Sequence, residues 1–413
     1  MSRAIVPVIL RGSNTSFKIS GASSSITGGV LNNGRTSATT YIESGIVKYL
    51  SAGTLTWENG GLRHEGPDTN LQLYSEQFDN GVWIPVNAGV TPNTTTAPDG
   101  ALTADSLIPT ATNALHGQSQ VSDVVSGVTY FEPLFVKANG YSWVQLLGST
   151  KFDGTNLWCN FDITNGVIGN KGSTATDYSI TALANGWFRI DLAGTCTSSG
   201  STGKFIFAIL NGDTASRAPS FLADGTSGIY IWGNGLKTSR SSYIPTTTTV
   251  VPRATDSYSA VLRPNKDYST RGITFFKIVP GQPNSTGVKS WIKQSPATEG
   301  VIDNGSGQLT LVDKSANTAT AAIGGWAMND TILGAAVYAD GSMSLHISKN
   351  GGAFTDSSDT TFAGFTKGSS WLFFKDNPGV FSIVSIAIPP IDTSLSFADM
   401  QTYAKANAAT IAV

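Results

Sequence analysis

Short runs of alternating apolar and polar residues, each closed by Gly, Asn, Asp or Pro, recur at close intervals along the chain, and this rhythm most constrains the fold. Phe188, Ile190 and Leu192 alternate with Trp187, Arg189 and Asp191, and Met343, Leu345 and Ile347 alternate with Ser344, His346 and Ser348. A period of 2 predicts half-buried strands. Thr164-Asn165-Gly166, Asp340-Gly341 and Asn350-Gly351-Gly352 supply residues that tolerate positive φ where hairpins must reverse. One helix is predicted, at the C-terminal end. There Ser396 and Asp399 fit a capping box with Asp in place of Glu, and Phe397, Met400, Ala404, Ala408 and Ile411 fall at helical spacing.

Composition agrees with an all-β fold. Only 13% of the 413 residues are charged, against about 25% in ordinary soluble domains, so Ser, Thr, Asn and the 45 glycines must form much of the surface. Those residues disfavour helix interiors and suit strands and turns. The net charge of -2 is spread singly along the chain, without the basic stripe that a nucleic-acid partner requires. The apolar stretch Ala4 to Leu10 contains Pro7 and is too short to span a membrane or to make a convincing secretory signal. Membrane insertion is not expected.

Three divisions suggest themselves. Residues 1–68 are rich in Gly, Ser and Thr, cannot easily bury a core, and read as a docking or oligomerisation segment ordered against another subunit or the next domain. Residues 69–253 and 254–413 then form two domains. Their boundary falls at the threonine run between Pro245 and Pro252, which reads as an extended connector.

Catalytic patterns are absent: there is no zinc-protease motif, no nucleophile elbow and no dinucleotide or phosphate loop. His346 reads as a solvated surface residue. Asp153 with Asp162, or Asp303 with Asp313, could form a glycosidase pair, but each lies in turn-like sequence where Asp serves local hydrogen bonds. Ca²⁺ could bind such loops, yet none has the Asp density of a dedicated motif, so no cofactor and no metal site are expected. Cys159 and Cys196 read as small semi-buried thiols, with a cross-strand bridge as the alternative. The sequence therefore gives no catalytic residues and reads as a non-enzyme.

Aromatic residues are what remains. Trp and Tyr can stack on the apolar face of a sugar while neighbouring amides reach its hydroxyls. Tyr141 and Trp143, read as pointing the same way in one strand, and Trp158, between Asn156 and Asn160, are the candidate carbohydrate-binding residues; core packing is the competing reading.

The middle of the chain also resembles a known family. Thr69-Asn70-Leu71-Gln72-Leu73-Tyr74-Ser75-Glu76-Gln77-Phe78 with Trp83, Ala97-Pro98-Asp99-Gly100 and Thr103-Ala104-Asp105 open the likeness. Phe135-Val136-Lys137-Ala138, Gly186-Trp187-Phe188-Arg189, Ile229-Tyr230-Ile231-Trp232-Gly233, Ser242-Tyr243-Ile244-Pro245-Thr246 and Arg253-Ala254-Thr255-Asp256 continue it, and Gly34-Arg35-Thr36-Ser37 looks like its usual lead-in. This ordered series, covering roughly half the chain, resembles the head-spike or tail carbohydrate-binding-like domain of bacteriophage virion proteins. Arg63-His64 stand before Glu65 where such proteins often carry apolar residues.

The resemblance implies a jelly-roll-like sandwich followed by a concanavalin A-like one, on a virion structural protein made in the host cytoplasm and carried on the particle surface. The expected role is a head or tail fibre or spike that contributes to host attachment. Residues 1–68 would contact capsid, portal or tail proteins, and a homo-oligomer, commonly a trimer in such appendages, is the expected assembly. A glycan-binding tail adhesin and a capsid decoration protein without ligand are the alternatives; a polysaccharide depolymerase is the more distant one.

Overall fold

A computed structural model describes residues 17–20, 25–27, 29–58, 61–153, 155–203, 205–213, 216–262, 270–280, 289–294, 299–327, 329–365, 371–373, 380–388 and 396–411. The fold is all-β, antiparallel throughout its strand ladders, with one α-helix among the described residues. Two compact units form, and neither is a continuous stretch of chain: one comprises residues 38–50 and 68–253, the other 1–37, 51–67 and 254–413.

The 38–50 and 68–253 unit is a sandwich of two six-stranded sheets. One runs Ala88–Thr95, Ala104–Pro109, Gly228–Trp232, Thr129–Asn139, Phe188–Thr195, Asp177–Ala182; the other runs Val167–Lys171, Trp158–Asp162, Trp143–Gly148, Phe205–Leu210, His116–Ser119, Ile84–Val86. Leu134, Val136, Ile190 and Leu192 of the first meet Val144, Leu146, Phe161 and Phe207 of the second in a core without solvent access.

Phe188–Thr195, read as half-buried, is instead buried on both faces up to Gly194. Its outward face continues that of Phe135 and Trp232 on the neighbouring strands, where Val47 of the 39–50 hairpin, Trp187 and Tyr243 pack, and the irregular chain from 233 to 246 crosses it at Ser241. Arg189 and Asp191 survive there because they pair with one another at 2.8 Å and Arg189 Nη2 also donates to the Ser241 carbonyl. Lys237 Nζ donates to the Ser241 and Ser242 carbonyls at 2.7 and 2.8 Å. Buried charge is tolerated only when it is satisfied in this way. Glu132 is buried without a cationic partner among the described residues. Burial raises its carboxyl to about 8, while Asn234 Nδ2 donates to Oε1 at 2.6 Å.

The other unit pairs a nine-stranded with a seven-stranded sheet. Phe276, Ile278, Ile332, Leu345 and Ile347 of the first pack on Trp291, Ile292, Val301, Leu309 and Leu311 of the second. Three of the described strands among residues 17–65 pair with strands from later in the chain. Gly61–Glu65 pairs with Val380–Ile388 and places Leu62 in this core, Gly29–Asn33 pairs with Tyr258–Leu262, and Phe17–Ser20 pairs with the far end of Val380–Ile388. A stretch too poor in apolar residues to make its own core is thus taken up by three ladders. Arg63, at the position where apolar residues were usual, is held between Glu58 and Glu65. The threonine run is not a free connector either. Thr246 donates to the Gln72 carbonyl at 2.6 Å, Tyr74 N donates to Thr247 O, and Val251–Arg253 pairs with Asp68–Asn70.

The predicted turns and helix are present. Asp340 and Gly341 have φ of 53° and 75°, and Asn350 and Gly351 have 53° and 73°, so each hairpin closes on two residues of positive φ. Helix α1 spans Phe397–Ile411; Asp399 N donates to Ser396 Oγ at 3.2 Å and Ser396 N to Asp399 Oδ2 at 3.3 Å, a reciprocal capping box. Its Met400, Ala404 and Ala408 bury against Ile273, Phe275, Ala335 and Val337.

That helix overturns the reading of His346. The residue is 1% exposed, on the sheet face that bears Ala335 and Val337. Its Nδ1 meets Asp356 Oδ1 at 2.8 Å, its Nε2 meets Ser344 Oγ at 2.9 Å, and Lys405 of the helix bonds Asp356. Hydroxyl, imidazole and carboxylate follow the order of a nucleophilic triad, but Ser344 is 0% exposed and no substrate carbonyl can reach it.

Burial lowers the His346 pKa from its ordinary 6.5, outweighing the opposite pull of Asp356. A base depressed in the folded state is protonated first in the unfolded chain, so its contribution is present above about pH 6.5 and lost as pH falls. Asp356, held low against burial by hydrogen bonds from Lys405 and His346, acts in the same direction at lower pH. The unfolding midpoint of this unit should therefore fall between pH 7 and pH 5, and fall less in His346→Gln. Equal slopes for the two proteins in pH-dependent calorimetry would contradict the assignment.

Candidate functional site

Two of the three candidate aromatics share one surface. In the second sheet of the 68–253 sandwich, Trp143 pairs with Asp162, Gln145 with Asn160 and Leu147 with Trp158. The intervening Val144, Leu146, Cys159 and Phe161 point into the core, so the period of 2 turns both tryptophans outward. They lie four register positions apart, roughly 13 Å along the strands.

Each indole is half-buried against a glycine. A Cβ at Gly169 would lie 2.6 Å from Trp143 Cζ3, and one at Gly172 would lie 2.6 Å from Trp158 Nε1. Bare backbone is therefore what seats the two rings.

The polar middle of this face is occupied from within the chain. Gln145 Nε2 donates to Asn160 Oδ1 at 2.7 Å and to Ser216 O at 3.1 Å, and Ala218 N donates to Gln145 Oε1 at 2.7 Å. Asn160 Nδ2 donates to Asp213 O, and Asn170 N donates to Asp213 Oδ1 at 2.7 Å. Gln145 and Asn160 are both 0% exposed. Gln145 and Asn160 are thus already bonded to Asp213, Ser216 and Ala218, whereas Asn156, the other amide beside Trp158, is exposed.

Tyr141 is elsewhere. The strand begins at Trp143, and Tyr141 packs edge-on against Phe221 with ring centroids 5.4 Å apart, its hydroxyl accepting from Asp224 N at 3.4 Å. The alternation that sequence suggested for Tyr141 and Trp143 is broken because residue 140 leaves the Thr129–Asn139 strand at a positive-φ glycine bridged to Gly228.

The carboxylates are turn-formers, with one exception. Asp162 accepts from Thr164 N, Asn165 N and Asn165 Nδ2 at 2.8 to 3.0 Å, and these bonds hold its pKa low against burial. Asp313 accepts from Ser315 N, Asn317 N and Ala363 N, with the same consequence, and Asp303 accepts from Gly305 N. Asp153 differs: it has a left-handed backbone, φ 53°, at the end of a 3₁₀ turn, and its carboxylate caps nothing among the described residues.

Among the described residues no group of three or more His, Cys, Asp or Glu is placed to hold a metal ion. Cys159 and Cys196 are buried and unbridged, and burial pushes the Cys159 thiol up to about 12, which leaves it unreactive.

No protein-family model matches the chain, and no curated protein matches it. Among solved structures, one similarity is to the crystal structure of botulinum neurotoxin serotype D binding domain, with a TM-score of 0.28 and 15% identity over 36% of this chain and 40% of that one. This chain thus spans less than half of that domain, and a likeness of this size carries no functional reading across.

Proposed function

We propose that the chain is a structural protein of a bacteriophage particle, forming a surface appendage that contributes to attachment to the host. The observation that supports this reading is the ordered motif series from Thr69 to Asp256 together with its lead-in at Gly34-Arg35. The residues of that series are joints of the fold rather than scattered coincidences. Asn70 bonds the Ile244 carbonyl, Ser75 bonds Tyr243, Asp105 accepts from Phe78 N, and Asp256 pairs with Arg35.

Because the described strands before residue 66 are paired within the chain, contact with other virion proteins is proposed for the protein as a whole and not for residues 1–68 alone. Particles assembled without this chain should lack a surface projection in electron micrographs and should adsorb to host cells more slowly. Particles of unchanged outline and unchanged adsorption rate would overturn the proposal.

A further inference from the structure

We propose that a concavity of about 380 Å³ in the 68–253 sandwich is a binding site for a neutral sugar unit; this deepens the attachment reading and rests on it. The concavity opens between Phe152, Asp153 and Leu157, the 174–177 segment and the end of Phe188–Thr195. It is separate from the tryptophan face, whose polar centre the chain fills itself. Its volume is in the range of small-molecule sites.

The lining sets the ligand class by what it contains and what it lacks. Among the described residues its lining includes Asp153 and Asp177 and no Lys, Arg or His. An anionic ligand, whether phosphate, uronate or sialate, would meet the charge of Asp153, which no described cation pairs with. Asp177 is paired with Arg240, whereas no hydrogen bond among the described residues reaches the Asp153 carboxylate. A free carboxylate accepts a pair of adjacent hydroxyls well, since hydrogen bonds to a charged acceptor are about twice as strong as neutral ones.

Five threonines add hydroxyls that both donate and accept, together with methyl groups. Thr129 and Thr195 fix one another at 2.9 Å, while Thr174 and Thr176 stand exposed at the rim. Phe152, Leu157 and Gly194 make an apolar floor. Gly194 is required there: a Cβ would lie 2.1 Å from Leu157 Cδ2 and lift that floor. Acceptor, hydroxyls and apolar floor together match a pyranose, which is ringed by hydroxyls and apolar on its C–H face.

Saturation-transfer NMR on the full chain tests this with the methyl glycosides of glucose, galactose and mannose as probes, and glucuronate and glucosamine as counter-probes. At least one neutral glycoside should receive saturation, and glucuronate should not. Asp153→Asn keeps the left-handed backbone, which Asn tolerates, and Thr176→Val keeps shape; each should weaken the binding about tenfold or more. Trp143→Ala should leave it unchanged. Silence from all three neutral glycosides, or a signal from glucosamine alone, would overturn the assignment. If neutral glycosides bind but neither cavity variant weakens them, the cavity falls while the attachment reading stands; that reading is judged separately, by the particle outline and adsorption described above.

Discussion

Asp256→Ala should destabilise the unit built from residues 1–37, 51–67 and 254–413 by about 3–5 kcal/mol, the cost of leaving a buried guanidinium without its counter-charge. Asp256 and Arg35 have no side-chain exposure, and Arg35 Nη1 reaches Asp256 Oδ1 at 2.6 Å. The same carboxylate accepts from Asn33 Nδ2 and from Glu65 N, both at 2.9 Å, so it ties three stretches of chain. At about 2–4 °C per kcal/mol for a unit of this size, the unfolding midpoint should drop by roughly 10 °C. Asp256→Asn, which keeps the shape and loses the charge, should fall between wild type and alanine. A loss below about 1 kcal/mol for the alanine variant in denaturant titration would show that the pair is incidental.

The second large effect is expected at Asn70, in the other unit. Its Nδ2 donates to the Asn234 and Ile244 carbonyls at 3.2 and 2.8 Å, and its Oδ1 accepts from Gln72 N and Leu236 N, both at 3.1 Å. All four bonds are made at 0% exposure. Asn70→Ala would orphan four backbone groups, and the loss should be at least about 2–3 kcal/mol. Asn70→Asp is the sharper probe. It preserves size and the two acceptor contacts but turns an oxygen toward two carbonyls, so it should be as damaging as alanine. Wild-type stability for Asn70→Asp would refute the bonding assigned here.

Both residues stand in the motif series, and they show what was legible in the sequence. Period-2 alternation, the Asp-Gly and Asn-Gly reversals and the Ser396 capping box specify local structure through local chemistry, and all are in the fold. The pairing of Arg35 with Asp256 was not legible, because a separation of 221 residues leaves no spacing to read.

The same limit explains the errors. Arg189, Asp191 and His346 alternate as surface residues should, and are buried because the 233–246 crossing and helix α1 cover them from elsewhere in the chain. Asn160 looked free to meet a ligand and is bonded to a crossing some 50 residues later. The concavity escaped notice for a related reason. Its lining comes from loops in which Asp153, Thr174 and Asp177 each look like ordinary turn residues, and only the fold brings them together.

Electron cryo-microscopy of intact particles, at a resolution that shows side chains, tests the central claim most directly. The account predicts density outside the shell or along the tail that fits two antiparallel β-sandwiches, with Trp232 and Tyr243 buried against one another and the Asp153 concavity open to solvent. Particles complete in every other component, yet without such density and without peptides of this chain in their mass spectrum, would contradict it.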